Sequence, residues 1–313
     1  MSTTRSRPWE AQAGNATIAP TAGRNVQGWL LILLVFVSGA CSLAVELSAS
    51  RLLAPYFGTS LFIWANLIGL ILLYLTLGYY IGGRLADRYP RPAVLYSMTA
   101  IAAFLIGVIP FLSRPILSWS QSSFATYSIG VFYGSLVSVI LLFAIPMIIL
   151  GCVSPFAIRL RIDQLGKSGR TAGSLYAIST VGSILGTFLP VLWLIPSIGT
   201  YRTFFTFAVA LLLVSVIGLV ATRPADPPIG DSSSSNGSNG LPGRKKRFNK
   251  NLLSILLLAP MTLSLFAIHG PIKPAFGSNG GGTLLAERES VYNYIQVVQV
   301  GDETQLILNE GVG

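Results

Sequence analysis

The sequence predicts an all-α membrane bundle of six or seven transmembrane helices, followed by the start of a β-hairpin that belongs to an incomplete C-terminal domain. The 313 residues are 52% hydrophobic and only 10% charged, whereas soluble domains carry about 25% charged residues. Apolar runs close to the ~20 residues needed to cross a bilayer recur along the chain. Basic residues concentrate in alternate connections between these runs, as the positive-inside bias requires.

Composition divides the chain into five segments: a disordered cytoplasmic tail (1–26), a six-helix transmembrane bundle (27–221), a disordered basic linker (222–250), a seventh apolar segment (251–269), and a Gly-rich spacer with a first hairpin (270–313). Within the bundle, spans are predicted at 27–49, 59–81, 92–112, 127–150, 173–195 and 202–221. The seventh run, 252–268, is at the lower length limit for crossing and contains Pro260. The hairpin strands are predicted at Tyr292–Val300 and Thr304–Asn309, around a Gly301-Asp302-Glu303 turn.

The distribution of Lys and Arg orients the predicted spans. Of the 21 basic residues, all but five fall in the N-terminal tail or in the second, fourth and sixth connections; the five exceptions are Arg51, Arg114, Arg202, Lys273 and Arg288. This bias predicts a multi-pass protein of the plasma membrane with a cytoplasmic N-terminus. Orientation and contact with anionic lipid account for the net charge of +10. No nucleic-acid-binding motif is present, so the lipid bilayer and not a nucleic acid is the expected partner.

The segment Gly78–Arg91 holds three arginines and one aspartate between two uncharged apolar runs, which predicts a short cytoplasmic loop. Its pattern resembles the loop between the second and third helices of the major facilitator superfamily; the matching residues are Gly78, Gly82, Gly83, Asp87, Arg88 and Arg91. The resemblance implies that Asp87, together with Arg84 and Arg88, holds the cytoplasmic ends of helices together. A tight turn that carries an orientation signal explains the same residues.

Glu46 is the one acidic residue within a predicted span, and Ser38, Ser42, Glu46 and Ser50 recur every four residues on one helix face. Because a charge exposed to lipid costs about 2.5–3.5 kcal/mol or more, this face should turn inward. One interpretation is a cation or proton site inside the bundle. The other is an interfacial carboxylate that pairs with Arg51 or caps a neighbouring helix. Asn66, in the second span, fits either arrangement.

Small residues in the fifth span predict close helix packing. Gly182 and Gly186 lie four residues apart, beside Ser and Thr on the adjoining face, a spacing that lets helices approach closely in lipid. Pro190 is expected to kink the same helix. Cys41 and Cys152 are interpreted as small buried residues and not as a disulfide or metal pair, and no metal site is predicted.

Several segments together resemble a known family. Residues 38–60 (SGACSLAVELSASRLLAPYFGTS), 82–88 (GGRLADR) and 169–186 (GRTAGSLYAISTVGSILG) resemble the membrane half of bacterial spermidine synthase-like proteins, in which a facilitator-like bundle is fused to a polyamine aminopropyltransferase domain. The tail, residues 289–297 (ESVYNYIQV) and 306–311, is similar to the first hairpin of that enzyme domain. The resemblance covers most of residues 27–221 and 287–313.

The resemblance implies transfer of an aminopropyl group from decarboxylated S-adenosylmethionine to putrescine. The family's Gly-rich nucleotide loop and catalytic aspartate are expected beyond Gly313, so no catalytic residue or cofactor is assigned within these residues and no activity is expected from them alone. Asn293 stands where soluble members have a thioadenosine-contacting Gln, and it forms a substrate-binding candidate with Tyr292.

The alternative function is a facilitator-type transporter or half-transporter of a small cation or polyamine, and a homo-oligomer is a further partner left open. Seven crossings from a cytoplasmic tail would place the hairpin outside the cell, away from a cytosolic nucleotide.

Overall fold

A computed structural model describes residues 22–124, 130–161, 168–222, 272, 282–290 and 293–308. Its helices are α1 (Ala22–Phe57), α2 (Leu61–Arg88), α3 (Pro92–Phe124), α4 (Gly130–Gly151), α5 (Val153–Arg161), α6 (Ser168–Leu189), α7 (Ile195–Ile198) and α8 (Thr200–Ala221), with a π-helical turn at Pro190–Leu194. The strands are β1 (Thr283–Glu289), β2 (Tyr294–Val300) and β3 (Glu303–Leu308).

The described residues contain six helical segments long and apolar enough to cross a membrane, which confirms the predicted membrane bundle in its coarse form. Large apolar side chains face outward, with Leu192 65% and Leu72 58% exposed. Small polar side chains such as Thr99 and Ser138 are fully buried. This distribution suits a bilayer, where the surroundings of the bundle are as apolar as its core. The seventh apolar segment, 251–269, lies outside the described residues.

The helices continue past the predicted spans because hydropathy marks only the part of a helix in hydrocarbon. The first helix runs to Phe57 and ends at Gly58, whose φ of 79° leaves the helical region. The predicted loop Gly78–Arg91 is wrong in extent, since α2 stays helical to Arg88. Pro90 cannot continue that helix, and Pro92 is suited to begin α3. The charges therefore lie mostly on the last turns of α2.

The first crossing of note joins α1 and α6, which run parallel and lie so close that side chains would overlap. Three glycines at this crossing each face a main-chain carbonyl of the other helix: Gly39 faces Ser179, Gly182 faces Phe36, and Gly186 faces Ala40. A Cβ atom at any of them would overlap the facing oxygen. Ser183 Oγ also donates to the Gly39 carbonyl at 3.1 Å. The packing role predicted for Gly182 and Gly186 is confirmed.

A second crossing, between α2 and α4, is built in the same way. Its three glycines face main-chain atoms of the partner helix: Gly78 faces Ile148, Gly82 faces Cys152, and Gly151 faces Leu75. The contact residues of α4 and its extension are those of α1 shifted by one constant interval, and those of α6 are those of α2 shifted by another. The bundle is therefore an inverted repeat of two units with three membrane spans each, α1–α3 and α4–α8, of the kind found in many transporters.

The third contact joins α3 to α8, the helices that correspond to each other in the two halves of the repeat. They pack antiparallel. Ser215 Oγ donates to Thr99 Oγ1 at 2.8 Å, and the Phe111 and Phe205 rings meet edge to face with centroids 5.8 Å apart. Cys41, fully buried, points its thiol at the Phe207 carbonyl of α8. Both cysteines are buried and free, as predicted.

The two ends of the bundle differ in charge. One end, called the basic end here, carries five arginines of α2, α5 and the turn before α3: Arg84, Arg88, Arg91, Arg159 and Arg161. Gln27 and Ala221 meet at that same end, through a bond of 3.4 Å. The opposite end, the sheet end, receives Ile272, whose carbonyl accepts from Tyr56 of α1 at 2.8 Å and from Tyr201 of α8 at 3.3 Å. Ala221 and Ile272 therefore lie at opposite ends of the bundle.

The sheet is a three-stranded antiparallel meander in the order β1-β2-β3. The predicted hairpin is present as β2 and β3, joined by Gly301 with a φ of 62°. The third strand, β1, was not predicted from the sequence; Thr283–Glu289 forms it, and it pairs with β2. Three charged residues near the end of β1 concealed its strand character in the sequence. A third strand stabilises what a hairpin alone could not.

Candidate functional sites at the sheet end and inside the bundle

Glu46 lies half-buried on α1, and within the described part of the chain it has no hydrogen-bond or ion-pair partner. The neighbouring hydroxyls are engaged by their own helix, since Ser42 donates to the Ser38 carbonyl at 3.0 Å and Ser50 to the Leu47 carbonyl at 2.8 Å. The ion pair between Glu46 and Arg51, one of the predicted alternatives, does not form among the described residues. The positive charge of Arg51 acts instead on an acid of the sheet.

Asn66 does not join Glu46. Its side-chain amide donates to Ser135 Oγ at 2.9 Å and to the Phe132 carbonyl at 3.0 Å, both on α4. The prediction failed because α2 packs mainly on α4 near this level, so the nearest acceptors belong to that helix. Asn66 therefore links α2 to α4, and it is not a hydrogen-bond partner of Glu46.

The predicted cytoplasmic contact residues separate into two roles. Asp87 Oδ1 accepts from Arg159 Nε at 3.0 Å, which joins the ends of α2 and α5. Arg84 and Arg88 do not take part in this pair, since their guanidinium groups lie over the Tyr80 and Tyr89 rings at 4.0 and 5.6 Å. The Asp87–Arg159 ion pair thus joins two helices, whereas the contacts of Arg84 and Arg88 with the two rings lie within the α2 region.

Asp87→Asn should change the free energy of unfolding by no more than about 1 kcal/mol. The reason is exposure: the side chains of Arg159 and Asp87 are 49% and 73% exposed, so water and salt screen their attraction. Thermal unfolding of the purified variant in detergent would measure the change. A loss of several kcal/mol would instead show that this pair holds α2 and α5 together.

Asn293 closes the turn between β1 and β2 with its main chain. Its N–H donates to Ser290 Oγ at 2.8 Å, and its carbonyl accepts from the Ser290 N–H and hydroxyl at 2.9 and 3.0 Å. This pattern is a local side-chain-to-backbone turn. Tyr292, the second substrate-binding candidate, lies outside the described residues. A role for either residue in binding stays a prediction.

Sequence reasoning missed a contact at the sheet end that is made by Glu289. Its carboxylate accepts from the Thr200 N–H at 2.9 Å and 3.1 Å and from the Thr200 hydroxyl. Gly199, with a φ of 84°, precedes α8 and has no side chain to cap it. Glu289 therefore caps the first turn of α8 from a strand 89 residues away in sequence, where a negative charge also suits the helix dipole.

A second acid fixes the other side of the same junction. Glu287 Oε1 accepts from the Ile272 N–H at 2.8 Å and from the Tyr294 hydroxyl at 2.6 Å. Gln296, buried in β2, donates to the same hydroxyl at 2.9 Å. The signal that could have suggested this junction was the pair of acids at alternate positions in 287–289, which a strand places on one face.

Burial governs the protonation of Glu289. It raises the pKa of this carboxyl above its ordinary value of 4.5, while hydrogen bonds from Thr200 and the charge of Arg51 oppose the rise. The folded protein therefore holds this proton more tightly than the unfolded chain. The contribution of Glu289 to stability is complete below pH 4.5 and is lost as pH rises through the raised pKa.

Glu289→Gln should remove this pH dependence from the docking of the sheet. Hydrogen exchange of β1 amides, corrected for intrinsic rates and measured from about pH 4 to 8, would check it. We expect protection to fall with rising pH in the wild type and to stay level in the variant. Asp302→Asn, at an exposed turn of the same sheet, is the matched control. Equal slopes for wild type and Glu289→Gln would contradict the assignment.

No protein-family model, curated protein or solved structure matches this chain.

Proposed function

We propose that this chain is the membrane-embedded N-terminal portion of a spermidine synthase-like protein, in which the bundle is a rigid platform for an extramembrane, polyamine-handling domain. The observation that carries the proposal is the junction at the sheet end. The hairpin β2–β3, which resembles the first hairpin of the enzyme domain, pairs with β1. Glu289 of β1 binds α8 directly, and Glu287 binds Ile272, whose carbonyl accepts from α1 and α8. A domain merely tethered by a spacer would need no such part-buried polar contacts.

Positioning is the chemical role that these residues can serve. Aminopropyl transfer needs the acceptor amine held close to the carbon beside the sulfonium of decarboxylated S-adenosylmethionine. The Asn293–Ser290 turn and the Glu287–Tyr294–Gln296 network order the sheet on which such a site would be assembled. In this proposal the bundle contributes orientation and rigidity, and Asn293 presents its amide to the thioadenosine.

The coding sequence that follows Gly313 tests this proposal directly. A nucleotide-binding Gly-rich loop after a strand, with an acidic residue at the end of a later strand, would support it. The protein translated from that sequence should then form spermidine from putrescine and decarboxylated S-adenosylmethionine in membrane vesicles. Six further apolar spans in place of that domain would overturn it.

A second candidate function is a facilitator-type half that carries a small cation or polyamine. Two observations favour it: the inverted repeat of three-helix units, which is common in transporters, and Glu46, an acid within a span that has no partner among the described residues. A carboxylate in such a place can take up and release a cation or a proton as the bundle changes conformation.

Glu46→Gln should reduce uptake of labelled putrescine into proteoliposomes at least about tenfold, because it removes the charge and keeps the shape. Glu303→Gln, at an exposed position of β3, is the matched control and should transport like the wild type. Uptake that is equal in wild type and Glu46→Gln would exclude a charge role for Glu46. If the wild-type protein carries no putrescine, the polyamine-carrier function is overturned and the spermidine synthase-like function is unaffected.

A further inference from the structure

An apolar groove runs along the outer face of α6 and the π-helical turn. It has a volume of about 440 Å³ and is lined only by apolar side chains, among them Phe36 of α1 and Val181, Phe188, Leu192 and Trp193. From Val181 to Trp193 a helix rises about 18 Å. That length is roughly the depth of one leaflet of a ~30 Å hydrocarbon core.

A polar groove lies at the sheet end, between α7, the first turn of α8 and the end of β1. Its volume is about 350 Å³. Arg202 and Arg288 line it, and both are exposed. Neither guanidinium group forms a hydrogen bond or ion pair with another residue in the described ranges. The acids of this groove are engaged already: Glu287 accepts from Ile272 and Tyr294.

The remaining acid, Glu289, accepts from Thr200 and lies in the field of Arg51. The charged groups that the groove leaves free for a ligand are therefore the guanidinium groups of Arg202 and Arg288. Arginine binds phosphate oxygens through paired N–H groups, and it does so well where water is partly excluded.

The two grooves meet along one helix face. Ser197, which lines the polar groove, donates to the carbonyl of Trp193, which lines the apolar one. Ser197 thus lies one helical turn above Trp193 on the same side. An exposed Trp at this level is also typical of the membrane–water interface. A groove with two exposed guanidinium groups consequently lies next to an apolar groove of leaflet depth.

We propose that this composite site binds one anionic phospholipid, with its phosphate on Arg202 and Arg288 and one acyl chain in the groove beneath, against Phe188, Leu192 and Trp193. A phospholipid fits because its charged headgroup would lie in the polar groove while its acyl chain lies in the adjoining apolar groove. The inference is independent of the proposed function and holds for a platform or a carrier alike.

Quenching of Trp193 fluorescence by brominated lipid tests the site. The protein is placed in phosphatidylcholine vesicles, and brominated phosphatidylglycerol or brominated phosphatidylcholine is added in small mole fractions. The difference between wild type and Trp193→Phe isolates the signal of Trp193. We expect half-maximal quenching at a roughly tenfold lower mole fraction of the anionic lipid, because the two arginines attract its phosphate.

The double variant Arg202→Gln, Arg288→Gln should lose this preference and keep the quenching by phosphatidylcholine, which shows that the groove is still folded. The matched control Arg84→Gln, Arg88→Gln changes two exposed arginines at the basic end and should keep the preference. Added inorganic phosphate should not compete, since the acyl chain supplies part of the affinity.

Equal quenching by the two lipids in the wild type would show ordinary surrounding lipid only, and would overturn the proposal. A preference that survives in the Arg202→Gln, Arg288→Gln variant would overturn it as well. If neither lipid quenches Trp193 and two chains can be cross-linked, the groove is covered by a second copy of the chain. That result would also reject a lipid site.

Discussion

Gly186→Ala should destabilise the bundle, and Gly173→Ala, on the same helix, should not. At Gly186 a Cβ atom would overlap the Ala40 carbonyl oxygen, and a main-chain oxygen in a helix cannot turn aside as a long side chain can. Overpacking of this kind costs about 1–3 kcal/mol, which exceeds the ~1 kcal/mol that Ala gains over Gly in a helix. At Gly173 a Cβ would meet nothing within 4 Å, so only the gain remains.

The reactivity of the buried thiols measures this effect. Cys41, fully buried beside Ala40, reacts with a thiol-specific dye only when the bundle opens. We expect the temperature of half-maximal labelling to fall in Gly186→Ala and to stay or rise slightly in Gly173→Ala. Gly82→Ala should behave like Gly186→Ala, because the inverted repeat gives it the same surroundings. Equal temperatures for Gly186→Ala and Gly173→Ala would contradict the close α1–α6 approach.

Cysteines at the sheet end and the basic end should be labelled from opposite sides of the membrane. Asp302→Cys places a thiol on the exposed β2–β3 turn, and Arg88→Cys places one at the exposed end of α2. In intact cells, a membrane-impermeant maleimide should label position 302 and leave position 88 unlabelled. The excess of Lys and Arg at the basic end is the reason, since it favours the cytoplasm. Cys41 and Cys152 are buried and contribute little background.

Each other outcome of this labelling has a definite meaning. Label at 88 and not at 302 would reverse the orientation and keep the architecture. If both positions are labelled in intact cells, or if neither is labelled until the cells are opened, the sheet and the basic end do not lie on opposite sides of the membrane. The side also bears on the proposed function, because a domain on an external sheet must receive its nucleotide co-substrate on that side. The vesicle assay should therefore supply the co-substrate to both sides of the membrane.

Much of the bundle was accessible from the sequence, for a simple reason: a span needs about 20 apolar residues, and few other structures produce such runs. The glycine contacts were likewise predictable at Gly182 and Gly186, where the spacing is visible within one helix. Helix ends were not, because α2 continues to Arg88 beyond the apolar run and stops only where Pro90 intervenes. Hydropathy reports the solvent around a helix and not its hydrogen bonds.

The sheet end was the least predictable part, because its contacts join residues far apart in sequence. Nothing near Glu289 indicates that its partner is Thr200, and nothing near Thr200 shows that an acid caps its helix. The strand β1 was missed because Glu287, Arg288 and Glu289 do not look like a strand. Asn66 was assigned to the wrong neighbour for the same reason: its partner Ser135 is set by packing of α2 on α4.

The inverted repeat preserves the small residues inside the membrane but not the charges at its ends. The interval that carries Gly78 onto Gly182 carries Arg84 onto Phe188 and Arg88 onto Leu192, so the basic end of α2 corresponds to an apolar stretch of α6. Packing and insertion direction are therefore encoded by different residues. The arginines at the end of α2 could therefore be exchanged without altering a helix contact at the glycine crossings.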